Sequence, residues 1–335
     1  MEANYTPPFT VTDEMTNLVV RIGELVGSLT AGSAQMPSPK LRKQNRIKTI
    51  QSSLAIENNS LTLDQVTAIL EGKRVLGAPN EIQEVRNAID AYELLLELNP
   101  YKEKDLLRAH RLMMHDLVRE NGRFRSGGVG VFGQEGLVHL APPAQRVPLL
   151  IADLLTWVKS TAVHPLISSC VFHYEFEFIH PFADGNGRMG RMWQTLLLMQ
   201  WRPVFAWIPV ETIVKDHQQA YYDAIARSDH EANSTPFILF MLQCLAQALE
   251  EMQQVQQLSA AESAAESTPE NTLKGTPKRI CVYMAANPSI TVNELSERLG
   301  LNRRGIMKHI QNLQARALIR RVGPNKGGHW EVKKF

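Results

Sequence analysis

The chain has 335 residues, 44% apolar and 21% charged, room for one sizeable globular domain plus a smaller one and unlike a disordered or fibrous composition. Cys170, Cys244 and Cys281 lack CxxC spacing, which argues against a disulfide or zinc framework, and neither a secretory signal nor an apolar run of ~18 residues is present, so a cytoplasmic protein with no membrane span is expected. The net charge of +2 hides a division: residues 273–335 carry thirteen Lys and Arg against three Glu, a local +10, leaving −8 for residues 1–272, so the two ends are expected to meet different partners.

From the N-terminus, a Pro-containing coil leads into a predicted helix from Asp13 to about Leu29, then a Gly/Ser/Pro loop through Lys40. Helical periodicity returns from Leu41 to Glu57. Ile47, Ile50, Leu54 and Glu57 recur at steps of three, four and three and therefore share one face. A carboxylate on an apolar stripe needs a partner, because burying it unpaired is costly. The alternative is a Glu57 whose side chain stays in water at the helix end. Asn58 and Asn59 suit a left-handed exit, and Thr62 with Gln65 forms a capping box for a short helix to about Leu70. Ala78–Leu98 and Lys104–Arg119 are amphipathic, with Ile82, Val85, Ile89 and Tyr92 typical of core faces, and read as scaffold.

Between Phe124 and Pro143 the pattern changes to alternation. Val129 and Val131, then Val138 and Leu140, flank Gly133-Gln134-Glu135-Gly136, a short β-hairpin. Such a hairpin must lean on its domain, and its free edge can accept an extended peptide by strand addition. Structural decoration is the plainer alternative.

Pro148–Lys159 and Pro165–Phe178 are the next predicted helices. The second, with Ile167, Cys170, Val171, Tyr174 and Phe178 at helical spacing, delivers His180. The run from His180 to Arg191, HPFADGNGRMGR, is then a junction, because apolar Met192–Gln200 predicts a second helix beginning near Gly187 or Arg188. A helix start aims unpaired N–H groups and a positive dipole at whatever lies ahead of it, which makes an anion site. Gly185 and Gly187 bracket Asn186 and let the backbone approach a phosphate closely. Arg188 and Arg191, three apart, can fork onto one polyphosphate. Asp184 offers the hard oxygen that a phosphate-bridging Mg²⁺ takes, and His180 is the neutral proton acceptor at the edge of the site.

This run resembles the Fic-family signature HPFx[D/E]GNGRxxR, with every fixed position present. The resemblance implies a transferase that moves a nucleotide monophosphate, usually AMP from ATP, onto a protein hydroxyl. His180 would be the base and Asp184 the Mg²⁺ ligand. Gly185, Asn186 and Gly187 would cradle the α- and β-phosphates, with Arg188 on the β side, Arg191 on the γ-phosphate and Gly190 in the same nucleotide-binding run. The phosphate-transferring Doc branch looks like HPFxDANKR; Gly187 and Arg188 in place of its Asn-Lys favour AMP transfer. Ser53-Leu54-Ala55-Ile56-Glu57-Asn58 is similar to the family's inhibitory motif [S/T]xxxE[G/N]. It implies that Glu57 pairs with Arg191, takes the place of the γ-phosphate and sits on an inhibitory helix, about residues 41–58, ahead of the core. The resemblance also makes the hairpin, at Val138, His139 and Leu140, a flap that holds the target hydroxyl in register with the base.

After the motif, Val210–Arg227 is predicted helical. On spacing alone its adjacent Tyr221 and Tyr222 are core residues; a Tyr pair at similar spacing in the family would have them wall the adenine, with His217 one turn earlier. Thr235-Pro236 begins a helix through Leu249, and residues 251–272, without aromatic, Lys or Arg, read as a helix tail fading into a linker. Pro277–Ala286, Val292–Leu299 and Asn302–Arg316 are three helices, the last two separated by Gly300-Leu301. Two strands, Leu318–Val322 and His329–Val332, follow around a basic turn, and the whole resembles a winged helix. Arg303, Arg304 and Lys308 open the third helix, where a DNA reader places its groove contacts, and Arg320, Arg321 and Lys326 would line the wing. DNA or another polyanion suits the charge; winged helices also mediate protein contacts.

The expected architecture is mainly α. An N-terminal helical region (residues 1–60) precedes a Fic-type helical domain with a small β-hairpin flap (61–250), a linker (251–273) and a winged helix-turn-helix domain (274–335). The expected chemistry is AMP transfer from ATP to a Ser, Thr or Tyr hydroxyl of a target protein or of the chain itself, autoinhibited by Glu57. The same residues leave open AMP removal with Glu57 orienting water, another nucleotide donor, and a DNA-binding regulator that only senses nucleotide. A metal-dependent hydrolase is disfavoured, because one His and one Asp make too few ligands. Family precedent extends to a homodimer.

Overall fold

The computed structural model describes residues 5–30, 37–128, 130–133, 136–266, 275–324 and 328–333. The chain is mainly helical and divides into two compact units, Met1–Glu250 and Glu251–Phe335, with fourteen α-helices and two two-stranded antiparallel sheets among the described residues.

In the first unit, α1 (Asp13–Thr30) buries Met15, Ile22, Val26 and Leu29. Ser38 caps α2 (Pro39–Ile56) by accepting from the Leu41 N–H at 3.3 Å, and Pro39 suits the first turn because its missing N–H would be unpaired there anyway. Ile47, Ile50 and Leu54 of α2 are buried, Glu57 stands at its C-cap, and Asn58 turns out at φ 68°. The capping box of Thr62 and Gln65 opens α3 (Leu63–Leu70). Next come α4 (Pro79–Leu94), one 3₁₀ turn (Leu95–Glu97), and α5 (Glu103–Met113). Helix α5 stops short of the expected Arg119, because Asp116 takes φ 58°, which no right-handed helix allows.

Strands β1 (Gly130–Gly133) and β2 (Gly136–Leu140) pair with Gly130 opposite Leu140 and Gly133 opposite Gly136, and the register slips between Val131 and Phe132. Val129, Gln134 and Glu135 of the expected hairpin lie outside the described residues. The helices that follow are α6 (Val147–Ser160), α7 (Pro165–Ile179), α8 (Asn186–Trp201), α9 (Val210–Asp216), α10 (Gln218–Glu231) and α11 (Thr235–Glu266). The expected single helix over Val210–Arg227 is two, since His217 leaves the helical well at φ −116°, ψ 35°. Helices α7 and α8 are buried on nearly every face, the pattern of a central pair. Their core side chains, among them Phe172, Phe176, Met192 and Trp193, join one cluster with Ile50 and Leu54 of α2, Tyr92 of α4 and Leu106 of α5.

The second unit holds α12 (Thr276–Ala286), α13 (Val292–Leu299), α14 (Arg303–Ala315), β3 (Ile319–Val322) and β4 (His329–Val332) around its own core of Ile280, Met284, Leu295, Ile306, Ile310, Leu313 and Ile319. Gly300 closes α13 at φ 63°, and Asn302 caps α14 by accepting from the Gly305 N–H at 2.8 Å. Strands β3 and β4 pair Ile319 with Val332 and Val322 with His329; Lys274 and Lys326 lie outside the described residues. No helix among the described residues is long and apolar enough to cross a membrane.

Candidate active site

The loop between α7 and α8 is built by two left-handed residues. His180 ends α7 at φ 50°, ψ 62°, its N–H still bonded to the Phe176 carbonyl at 2.9 Å, and Gly185 opens α8 at φ 83°. Its φ of 83° favours glycine, and a Cβ there would lie 2.5 Å from the Met114 sulfur, so another residue would also have to displace that side chain. Asn186 closes the loop on itself: its Oδ1 accepts from the Phe182 N–H and its Nδ2 donates to the Phe182 carbonyl, both at 2.9 Å. Beneath the loop, buried Phe182 stacks on the His110 ring at 3.6 Å. The Gly122 N–H donates to His110 Nδ1 at 2.8 Å, so the ring proton is on Nε2 and goes to the Asp184 carbonyl at 3.0 Å. Burial pushes His110 down to about 4 and keeps it uncharged.

Above the loop, charge is concentrated. The Arg191 guanidinium, 2% exposed, donates from Nε to Ser53 Oγ (3.1 Å) and from Nη2 to the Ser53 carbonyl (3.0 Å) and to Glu57 Oε1 (2.7 Å). Burial alone would raise the Glu57 carboxyl; Arg191, with Arg188 and His180, outweighs it and holds Glu57 below the usual carboxylate range. Arg191 in turn is pushed up, burial opposing and Glu57 prevailing. Gly187 lies under this pair, where any Cβ would meet Glu57 Oε1. Arg188 Nη2 is 3.2 Å from Asp184 Oδ1 and Nη1 is 3.4 Å from Glu84 Oε1. Its buried Nε and Nη1 have no hydrogen-bond partner among the described residues. Buried donors that make no hydrogen bond are expensive, and although Nη1 faces the Glu84 carboxylate, both lie near the N-terminus of a sixteen-residue helix, where an anion would satisfy them.

His180 Nδ1 lies 3.3 Å from the Glu177 carbonyl, which makes Nδ1 the donor and puts the imidazole lone pair on Nε2. A proton acceptor thus stands beside an anion nest, the arrangement a phosphoryl-type transfer needs. No group of three or more His, Cys, Asp or Glu among the described residues could hold a metal by itself. The single carboxylate of Asp184 fits a Mg²⁺ that takes its other ligands from phosphates and water.

The structure brings Arg191 onto Ser53 and Glu57 with Gly187 beneath that pair, sets Arg188 against Asp184, and places His180, Gly185 and Asn186 in the adjoining loop; Gly190 faces His173 and Glu177 instead, and Asn58 is the exposed turn behind Glu57. The two tyrosines, whose rings meet edge-on at 5.5 Å, differ in burial. Tyr221, 2% exposed, donates to His173 Nε2 at 3.1 Å, and His173 Nδ1 donates to Gln194 Oε1 at 2.7 Å. Tyr222, 44% exposed, donates to the Ile56 carbonyl at 3.3 Å, and His217 is also exposed. Val138, His139 and Leu140 are strand residues of β2 whose side chains lie outside the description. Four residues of the site escaped sequence reasoning: His110 and Glu84, on helices read as scaffold, Arg125, and Glu177. His110, Glu84 and Arg125 act on backbone atoms or on side chains remote in sequence, so no spacing announces them, and Glu177, one turn from His173, sits on a helix whose apolar pattern gives no sign of a buried carboxyl.

Residues 100–198 match the model of the Fic/DOC family, and residues 275–320 match that of a winged helix-turn-helix DNA-binding domain. The crystal structure of a Fic family protein from Desulfovibrio desulfuricans G20 is 46% identical and covers 98% of both chains at a TM-score of 0.73. Protein adenylyltransferase Fic of Culex quinquefasciatus is 31% identical over 63% of this chain and 42% of its own, so the match spans less than half of that relative. Fic-1 (residues 134–508) of C. elegans, at 21% identity and a TM-score of 0.61 over 73% of each chain, shares the fold.

Proposed function

Because the chain belongs to the Fic family, we propose that it transfers AMP from ATP to a Ser, Thr or Tyr hydroxyl of a protein, itself included, and that Glu57 holds this activity in check. The observation that carries the reading is the convergence, at the start of α8, of two buried arginines, one with donors that make no hydrogen bond, beside a histidine whose lone pair is on Nε2.

In this reading the target hydroxyl attacks the α-phosphorus of ATP in line. Its oxygen bonds to phosphorus, its proton passes to His180 Nε2, and the bond to the β-phosphate breaks to release pyrophosphate. Arg188 and Arg191 stabilise charge on the leaving side, where preorganised donors contribute most. A Mg²⁺ held by Asp184 and the phosphates would neutralise further charge there. Proton removal by His180 contributes about 10²- to 10⁴-fold.

Glu57 occupies the Arg191 donor that a terminal phosphate would use. Removing one charge-assisted hydrogen bond of ~1.5–3 kcal/mol should raise productive ATP binding by roughly 10- to 100-fold. Self-labelling from α-³²P-ATP is therefore expected to rise in Glu57→Gly and to vanish when His180→Ala is added. Equal labelling by the wild type and Glu57→Gly would remove the autoinhibition, and labelling that survives His180→Ala would remove the base.

For the second unit, a duplex-DNA contact through α14 is the reading its charge supports. Arg303, Arg304 and Lys308 are exposed along that helix, whereas Arg320 pairs with Glu331 at 2.7 Å and Arg321 lies over the Trp330 ring.

A further inference from the structure

We propose that Arg125 is the positioning residue that holds the proton-accepting histidine and the β1–β2 hairpin in one frame. The inference rests on the transferase reading, in which hydroxyl and base must meet.

Arg125 is 3% exposed, yet every hydrogen bond its guanidinium makes goes to a main-chain carbonyl. Its Nε donates to His180 (2.7 Å), Nη1 to Gly127 (2.9 Å), and Nη2 to Pro142 (2.5 Å) and Ile179 (3.3 Å). Its own N–H donates to the Pro181 carbonyl at 2.9 Å. Ile179 and His180 carry the last carbonyls of α7, which have no partner within the helix and are favoured sites for a cation. Gly127 and Pro142 flank the hairpin on its two sides.

One planar group therefore ties the end of the histidine-bearing helix to both roots of the hairpin. His180 also needs this support by itself. A left-handed conformation costs a residue with a Cβ roughly 1–2 kcal/mol and persists only where its surroundings dictate it. Arg125 grips the carbonyl of that very residue. A lysine cannot replace it, because a single ammonium nitrogen on a flexible stem cannot stand where the three spaced nitrogens of a rigid fork reach four carbonyls. Because a misplacement of about 1 Å can cost ~10²-fold in rate, loss of the frame should be read in transfer, whereas ATP affinity, set by Arg188 and Arg191, should remain.

The test compares Glu57→Gly with Glu57→Gly carrying Arg125→Lys or Arg125→Gln. Single-turnover self-labelling, equilibrium ATP binding, and the His180 tautomer by imidazole ¹⁵N NMR are measured on each full-length protein. The expected result is labelling slowed by ~10²-fold, ATP affinity within about threefold, and a single Nδ1–H tautomer in the parent that becomes mixed in both variants. An unchanged rate and tautomer would overturn the proposal. So would loss of rate and ATP affinity together in both variants, which would mark general structural damage. If the parent does not label but the tautomer still becomes mixed, the transferase reading fails while the positioning role of Arg125 stands.

Discussion

Glu177, one turn ahead of His180, keeps a carboxyl where Arg191 and Glu57 act on it in opposite directions. Burial is the larger influence and pushes it up to about 8; its Oε1 has no hydrogen-bond partner among the described residues. An acid whose folded pKa lies above its unfolded value binds more protons in the native state. Its contribution therefore falls as pH rises from about 4.5 through 8 and then levels off. Glu177→Gln removes that penalty, so the melting temperature of the variant relative to wild type should rise from pH 5 to pH 8 and flatten above; a difference independent of pH would rule out a buried carboxyl titrating there. Glu57 has the opposite sign: its pKa is depressed, so the stability it contributes is lost as pH falls through the carboxylate range. Glu57 was legible in the sequence because a carboxylate broke an apolar stripe, and the loop from His180 to Arg191 because its chemistry is contiguous. Arg125 and His110 were not, since each acts on main-chain atoms that the fold brings from far along the chain.

At the scale of elements, α2 is fastened to α8 at its last turn. Ser53 contributes a hydroxyl and a carbonyl to Arg191, Glu57 contributes the carboxylate, and Asn59 just beyond donates to Glu84 Oε2 at 2.8 Å. Glu84 is also the residue facing Arg188, so the exit of α2 is joined to both arginines. Ser53→Ala removes the hydroxyl and leaves the carbonyl, a loss of ~1 kcal/mol. Self-labelling of that variant should fall between wild type and Glu57→Gly, at about fivefold over wild type; labelling equal to wild type would mean that the Ser53 hydroxyl contributes nothing to the restraint. Helix starts were legible because caps are local chemistry, as Thr62 with Gln65 shows. Helix ends were less so. The early stop of α5 and the break at His217 depend on backbone conformations at Asp116 and His217 that neither residue type announces.

At the scale of the whole chain, the stretches that build the two separate cores carry opposite net charge, −8 over residues 1–272 and +10 over residues 273–335, and that division could be read from composition alone. If α14 reads DNA, the full-length protein should bind duplex DNA with an affinity that falls steeply with salt, and replacing Arg304 or Lys308 by Ala should lower the salt slope by about one for each phosphate contact removed. Fluorescence anisotropy across a salt series measures this. No binding at low ionic strength, or a slope untouched by both substitutions, would leave the second unit as a protein-contact module.

The loop lock has one more consequence, and it concerns ageing. The chain contains two Asn-Gly pairs, Asn121-Gly122 and Asn186-Gly187, the dipeptide most prone to succinimide closure and spontaneous deamidation. Each is guarded at a different reactant. The Asn186 carboxamide is pinned at both ends by Phe182, and the Gly122 nitrogen, which would attack Asn121, is engaged by the His110 ring. Isoaspartate at either position is thus a record of molecules that have unfolded, and the native state preserves the very asparagine on which its loop depends.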